Sequence, residues 1–216
     1  MQTILNFLND LKQHNNRDWF QDNKQRYEEA KTIFFGLTDI LIAKIKEFDS
    51  SVDVNSAKEC AFRIYKDVRF SKDKTPYKTN MGAYISKGGR KSTHAGYYIH
   101  IEPGASFAGG GMYCPQTDVL KTLRQSIAED ATPLRSILSK PAFKTVFPEL
   151  SGETLKTAPR GFDKNHPDID LLRFKSYTVI KHLTDTELIS KQFLDNTLTV
   201  FKTQKPFNDY LNQIIK

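Results

Sequence analysis

The fold is decided by residues 80–113, which read NMGAYISKGGRKSTHAGYYIHIEPGASFAGGGMY. Apolar and polar residues alternate in three parts of it, 80–86, 96–102 and 106–113, and this period of two is typical of half-buried strands. A loop at 87–94 and the Pro103-Gly104 turn join them. Since connections this short join antiparallel neighbours, the stretch predicts an antiparallel meander.

Helical spacing dominates the sequence on either side of the meander. From Asn16, which is placed to cap a helix, apolar residues recur at helical intervals as far as Phe48. They predict one long N-terminal helix with a buried face. The pattern becomes helical again after residue 116, and C-terminal helices are expected from residue 186 onward.

Two further strands are expected outside the meander. In residues 60–70 alternate positions are apolar, so that Phe62, Ile64 and Phe70 would face the core and Arg63 the opposite side. A last strand is expected at 173–183. Together these patterns predict an α+β fold whose antiparallel sheet packs against a long N-terminal helix and C-terminal helices.

Composition favours one globular domain over residues 1–216. The chain has 32 Lys and Arg against 25 Asp and Glu, a formal net charge of +7, which favours anionic partners without indicating one. Its N-terminus reads as an amphipathic helix rather than a signal peptide, and no stretch is apolar enough to span a membrane, so we expect a cytoplasmic protein. Cys60 and Cys114 have no disulfide or zinc spacing.

A dense group of charged residues occupies residues 63–80, RIYKDVRFSKDKTPYKTN. One interpretation is that its arginines and lysines surround a phosphate or carboxylate. The other is that Asp67 and Asp73 pair with these cations and fix the loop. For Asp67 and Arg69 we favour the structural role, because ion pairs are the commoner use of such residues. For Arg63, Lys74 and Tyr77 we favour ligand binding, because loops on a rigid scaffold hold many binding residues.

This group and four other segments strongly resemble a bacterial family catalogued as domain of unknown function 2461. The other segments are 96–104, 109–111, 156–162 and His166-Pro167. The hallmark of the family looks like Arg-x-x-Arg-Asp-x-Arg-Phe followed by Asp-Lys-x-x-Tyr. Lys66 stands where the family usually has arginine, which keeps the charge but loses a planar bidentate donor. The resemblance implies no established activity.

A second candidate lies on the strand at 96–102. Tyr98, His100 and Glu102 fall on one face of it, where His100 and Glu102 could form an acid/base pair or two metal ligands. A satisfied polar pair on the surface is the favoured interpretation, and no third metal ligand can be named. We therefore predict no metal and no permanent cofactor.

The leading functional hypothesis is a cationic pocket for a small anionic ligand that bears phosphate or carboxylate. Its ligand-binding residues would be Arg63, Lys74, Arg160 and Arg69, and Tyr77 and His100 would transfer protons if a reaction takes place there. Arg63, Lys74, Tyr77 and Arg160 should then converge on one concave surface. The alternatives are a nucleic-acid-binding module that uses the basic loop 87–91, with Lys87, Arg90 and Lys91, and a protein-interaction domain. The oligomeric state is left open.

Overall fold

The computed structural model of the chain describes residues 1–69 and 71–215. Its centre is a four-stranded antiparallel sheet with the strand order β1-β2-β3-β4. The strands are β1 (Met81–Ile85), β2 (Gly96–Ile101), β3 (Ser106–Met112) and β4 (Tyr177–Leu183). The predicted meander is therefore confirmed, and β4 extends it from a distant part of the chain.

Ten α-helices of the described chain surround this sheet. They are α1 (Gln2–Gln13), α2 (Arg17–Asp22), α3 (Lys24–Lys46), α4 (Ala57–Cys60), α5 (Thr117–Glu129), α6 (Thr132–Ser139), α7 (Pro141–Val146), α8 (Ile169–Leu172), α9 (Asp185–Ile189) and α10 (Phe193–Ile214). The long N-terminal helix is present as α3. It is separated from α2 at Asn23, whose side-chain amide donates to the carbonyl oxygen of Trp19 at 2.9 Å. Asn16 caps α2 by accepting from the Trp19 amide.

One face of the sheet packs against the helices. Tyr97 and Ile99 of β2 are 1% and 0% exposed, and the ring of Tyr97 lies 5.3 Å from that of Phe201 on α10. Close contact is possible because β3 carries glycine there: at Gly110, with φ 140°, a Cβ would lie 2.1 Å from the carbonyl oxygen of Gly96. Since side chains alternate along a strand, the other face presents Tyr98 and its neighbours.

The prediction of a regular strand at 60–70 is wrong. Ser56 and Glu59 form a reciprocal capping box that stabilises the short helix α4 as far as Cys60. The chain leaves that helix with Ala61 at 8% exposure and Phe62 at 41%, so the residue expected in the core is outside it. Phe70 lies outside the described residues.

After α4, residues 61–69 and 71–78 form an irregular hairpin, which we call the basic hairpin. Its two arms are joined by isolated backbone contacts: the Lys66 amide donates to the Pro76 carbonyl at 2.9 Å, and the Lys78 amide to the Ile64 carbonyl at 2.8 Å. Single pairs of this kind do not make a ladder. Among the described residues of this segment, the alternating sequence therefore forms isolated bridges and no fifth strand.

The last strand is shorter than predicted. Arg173 forms the C-terminal end of α8, and Phe174 makes only a single bridge to Thr154 before β4 begins at Tyr177. Across the parts of the chain that the structure describes, no helix combines the length and apolar character needed to cross a bilayer.

Candidate functional site

A groove with a volume of about 810 Å³ lies over the sheet face opposite α10. Its floor consists of side chains from all four strands: Tyr84, Tyr98, His100, Phe107, Thr178 and Ile180. Residues 91–94 and 112–116 form much of its rim. The described residues that line it include Lys78 and Lys91 but no Asp or Glu. The groove therefore combines an apolar, aromatic floor with positive charge at its wall.

A chain of hydrogen bonds runs along the groove side of β2. The Tyr98 hydroxyl lies 3.1 Å from Nδ1 of His100, and Nε2 of His100 lies 3.0 Å from a carboxylate oxygen of Glu102. The other carboxylate oxygen of Glu102 accepts from the Thr79 hydroxyl at 2.9 Å. Alternate residues of one strand thus place a phenol, an imidazole and a carboxylate in series. Such a series can move a proton along its length.

The ring of His100 is held firmly. It stacks on Phe107 of β3, with ring centres 4.6 Å apart and planes 13° apart, and its side chain is 13% exposed. The register explains the contact, because His100 and Phe107 are directly paired across β2 and β3. The imidazole has contacts on one face and at both nitrogens, so its orientation is fixed.

The hydroxyl of Tyr98 depends on a glycine in the neighbouring strand. A Cβ at Gly82 would lie 2.3 Å from this hydroxyl oxygen, so only glycine leaves room for it there. Burial, and secondarily the charge of Glu102, raise the pKa of Tyr98 to about 12. Tyr98 is therefore a neutral phenol at physiological pH, able to donate its proton.

Lys78 places a partly buried ammonium group in the groove wall. Its Nζ lies 5.6 Å from the ring centre of Phe62, and no carboxylate of the described residues comes within ion-pair distance of it. Burial, and secondarily the charge of Arg63, lower the pKa of this ammonium. This partly desolvated ammonium lies near a second cation and over the ring of Phe62, and none of the described carboxylates pairs with it.

The rim loop that carries Lys91 is tied to the body of the protein. The Gly88 amide donates to Asp53 at 2.7 Å, and the guanidinium of Arg90 donates to the backbone carbonyl of Lys58. At the far end of the loop, the side-chain amide of Asn212 on α10 brackets the backbone of Ala95, at 2.8 and 3.1 Å. The basic loop is a fixed wall of the groove.

Tyr77, a predicted catalytic residue, is buried in an aromatic cluster instead of lining the groove. Its ring stacks on Phe20 with ring centres 3.9 Å apart, and it is 6% exposed. Asn15 brackets its backbone, accepting from the Tyr77 amide at 3.1 Å and donating to its carbonyl at 3.0 Å. Burial raises the pKa of the phenol.

Predicted ligand-binding residues of the basic hairpin interact within it. Arg69 forms a two-point contact with Asp67, at 2.9 Å from Nε and 2.6 Å from Nη2, and this contact holds the pKa of the Asp67 carboxyl below its usual range. Lys74 donates to the backbone carbonyl of Val68 at 3.0 Å. Lys66 pairs with Asp73 at 2.6 Å.

The remaining predicted residues lie in different surroundings. Arg160 is exposed in a turn closed by the bond from the Phe162 amide to the Pro159 carbonyl, 3.1 Å. Arg63 is exposed on the basic hairpin, close enough to Lys78 to affect its pKa. Of the six predicted site residues, only His100 is among the described residues that line the groove.

Two groove residues belong to patterns that the sequence shows, but they were not predicted as site residues. Lys78 belongs to the charged group at 63–80, and Tyr98 lies two positions before His100. The alternation of β2 was the signal for Tyr98. Nothing local distinguishes Lys78 from the other lysines of its motif, because its burial depends on Phe62 leaving the core.

Metal ligation has little support. Within residues 1–69 and 71–215, no group of three or more His, Cys, Asp or Glu side chains is arranged to hold an ion. Glu102 and His100, the pair with the right chemistry, are already bonded to each other and to Thr79 and Tyr98.

Comparison with known proteins gives one result. The model of the family described as conserved hypothetical protein (DUF2461) matches residues 3–210, nearly the whole chain. No curated protein and no solved structure matches the chain.

Proposed function

The chain belongs to the conserved hypothetical protein family DUF2461, and from its geometry we propose that it binds a small organic anion with an apolar body in the groove on the open face of the sheet. Lys78 holds the carboxylate or phosphate group, and the aromatic floor receives the apolar part. The observation that carries this proposal is the Lys78 ammonium, partly buried in the groove wall with no carboxylate of the described protein to pair with it.

The proposal rests on the free-energy cost of burying the charge of Lys78 without a partner. Burying a charge disfavours the charged form unless a partner compensates it, and a neighbouring cation adds to that penalty. Lys78 experiences both, and the groove lining offers no Asp or Glu among the described residues. A bound anion would supply the missing compensation and would be held by a charge-assisted hydrogen bond. Arg63 is a second cation close enough to Lys78 to lower its pKa, although it is not among the described residues that line the groove.

The floor of the groove selects the rest of the ligand. Phe62 meets the ring of Tyr98 edge-on, with ring centres 6.2 Å apart, and Phe107 and Ile180 continue the apolar surface. Ligand pockets are typically apolar with a few placed polar groups. We therefore favour a carboxylate or phosphate ester that carries a hydrocarbon or aromatic group over inorganic phosphate.

Paired ligands and paired variants test the proposal by calorimetric titration. The ligands are phenylacetate and phenyl phosphate, with phenylacetamide as the uncharged control. Lys78→Met keeps the length of the side chain and removes its charge, and Lys87→Met does the same on the exposed rim loop outside the groove. We expect Lys78→Met to weaken anion binding by about 10-fold or more, the value of a charge-assisted bond, with Lys87→Met close to wild type.

The outcomes separate this proposal from nucleic-acid binding. A single-stranded oligonucleotide would bind with an affinity that falls steeply with salt and that is lost when Lys87 and Arg90, which do not line the groove, are neutralised together while Lys91 is kept. Loss of all anion binding in that loop variant, or equal anion affinity of Lys78→Met and wild type, would rule out the groove as described.

A further inference from the structure

His100 has no nitrogen left for a ligand. Nδ1 faces the Tyr98 hydroxyl at 3.1 Å and Nε2 faces Glu102 at 3.0 Å, so both ring nitrogens are engaged by the protein. The Tyr98 oxygen, in contrast, can form a second hydrogen bond, because a phenol both donates and accepts. Tyr98 also lines the groove, whereas Glu102 does not. The end of the hydrogen-bond chain that faces a ligand is therefore the Tyr98 hydroxyl.

The protonation state of His100 decides which way this hydroxyl points its proton. A carboxylate only accepts, so Nε2 of His100 carries a proton toward Glu102. In neutral His100, Nδ1 is then an acceptor and the Tyr98 proton is donated to it. In the imidazolium, Nδ1 donates to the Tyr98 oxygen, and the phenolic proton is free to be donated into the groove.

We propose that Tyr98 is a general acid that delivers its proton to a ligand oxygen on which negative charge develops, with His100 and Glu102 as the positioning residues that replace that proton. The inference rests on the proposed function, since the groove must first hold the anion. It assigns to the site a reaction class, proton transfer on a small carboxylate or phosphate that also carries a carbonyl group.

Each proton is accounted for in this step. The bond between the Tyr98 oxygen and its hydrogen breaks, and a new bond forms between that hydrogen and the ligand oxygen. The proton on Nδ1 of the His100 imidazolium moves to the Tyr98 oxygen, which leaves neutral His100 still bonded through Nε2 to Glu102. The proton that the ligand carbon loses goes to water, and water returns a proton to Nδ1, so that no oxidant, reductant or other reactant is consumed.

The surroundings support this role. The raised pKa of Tyr98 keeps the phenol protonated until the ligand needs it. Phe107 stacks on His100 and fixes the ring plane, and Gly82 leaves room for the hydroxyl. A polar pair that served only to fill the surface would need neither a third member facing a groove nor a glycine beneath it.

Phenylpyruvate in D₂O is the probe, because it joins a carboxylate and an aromatic ring to an enolisable carbon. Protonation of its carbonyl oxygen by Tyr98 assists loss of a C3 proton to water, and proton NMR follows the exchange of that proton for deuterium. We expect catalysed exchange by wild type, and a loss of about 100-fold in Tyr98→Phe, the lower range for general acid catalysis. Saturation-transfer NMR should show unchanged ligand binding in that variant.

His100→Asn and Glu102→Gln identify the positioning residues. Both substitutions should slow the exchange. We expect the exchange rate of wild type to depend on pH and that of His100→Asn to depend on it less. Loss of packing alone would not flatten the pH dependence. The matched control is Tyr27→Phe, which removes a phenol whose pKa burial also raises to about 12 but which lies outside the groove. Its exchange rate should equal that of wild type.

The two proposals fail in different ways. If phenylpyruvate binds with Lys78 dependence but wild type gives no exchange above buffer, or Tyr98→Phe and wild type exchange at the same rate, the general-acid role is overturned and the binding site stands. If phenylpyruvate and the earlier anions do not bind at all, both are overturned. If Tyr98→Phe does not fold, Glu102→Gln decides: an exchange rate equal to that of wild type overturns the role.

Discussion

Two adjacent tyrosines of β2 show how differently the two faces of the sheet are used. Tyr97 points into the helix side, where it is 1% exposed and donates to the buried carboxylate of Asp49 at 2.7 Å. Tyr98 points to the groove and joins His100. Both phenols are bonded and both have raised pKa values, with burial as the first cause. One hydroxyl is enclosed by the core, and the other belongs to the lining of a groove.

This contrast separates hydrogen bonds that folding requires from hydrogen bonds that face the groove. A buried polar group must be satisfied whatever the protein does, so the bond of Tyr97 needs no explanation beyond folding. The bonds of Tyr98 and His100 face a groove, where water could have satisfied both groups. Their ordered arrangement there is what distinguishes a candidate site from a core.

The two faces should differ most in the free energy of unfolding that is lost when one aliphatic side chain is truncated on each face. Ile99→Ala empties a fully buried position on the helix side, and we expect a loss of about 2–5 kcal/mol in the free energy of unfolding. Ile180→Ala, on the partly exposed groove face, should lose about 1 kcal/mol because the site is open to solvent. Urea unfolding measures both, and equal losses would show that the groove face is closed in solution.

Removing the hydroxyl of Tyr97 or of Tyr98 should produce a smaller difference in stability between the two faces. Among the described residues, Tyr97→Phe leaves the buried Asp49 carboxylate with the bonds it accepts from Ser51, so we expect about 1–3 kcal/mol of destabilisation. Tyr98→Phe leaves a His100 nitrogen that water in the groove can reach, and should cost less than about 1 kcal/mol. Thermal unfolding at neutral pH compares the two variants. A larger cost for Tyr98→Phe would show that its hydrogen bond serves the fold.

Alkaline pH should produce a still smaller effect. Folding raises the pKa of both phenols above the ordinary 10.0, and that of Tyr98 to about 12. Above pH 10 the unfolded chain therefore binds fewer protons than the folded one, and stability, complete below pH 10, falls as pH rises through the folded pKa values. At pH 10.5 each phenol should account for less than about 1 kcal/mol. Both Tyr→Phe variants should show a shallower decline than wild type between pH 9 and about 11.

The smallest expected effect involves no change in stability. Cys60 lies in the core with its pKa raised by burial to about 12, whereas Cys114 is exposed in the groove rim. A thiol reagent at pH 8 should modify one of the two cysteines, and peptide mapping should find the label on Cys114. Rapid modification of Cys60 would mean that the helix side opens readily.

The sequence predicted the meander, the α+β class and the face shared by Tyr98, His100 and Glu102, because each follows from a local period. It failed at residues 60–70, where the described residues form no regular strand and Phe62, expected in the core, is 41% exposed, although Ile64 is buried as predicted. The cause is the capping box of Ser56 and Glu59, which extends a helix to Cys60 and so turns Phe62 outward. A local alternation cannot show where the preceding element ends.

The site residues were harder to predict from the sequence than the fold, because their roles depend on contacts between distant residues. Whether a cation is paired depends on contacts made after the chain has folded, and Arg69 and Lys66 have carboxylate partners that their motif also contains. Lys78 became the candidate anchor only because the folded hairpin brings it near Phe62 and Arg63. Convergence of Arg63, Lys74, Tyr77 and Arg160 stays a prediction.

Gly82 lies beside the Tyr98 hydroxyl, so a substitution at this position would act on that hydroxyl directly. The three atoms nearest to a methyl group at residue 82 would all belong to the outer end of the Tyr98 ring, so we expect the ring and not the backbone to move. Gly82→Ala would then displace the Tyr98 hydroxyl permanently, because the added methyl group takes the place of the phenol and not the place of a ligand. One added carbon atom would then break the hydrogen bond between Tyr98 and His100 while the fold is kept.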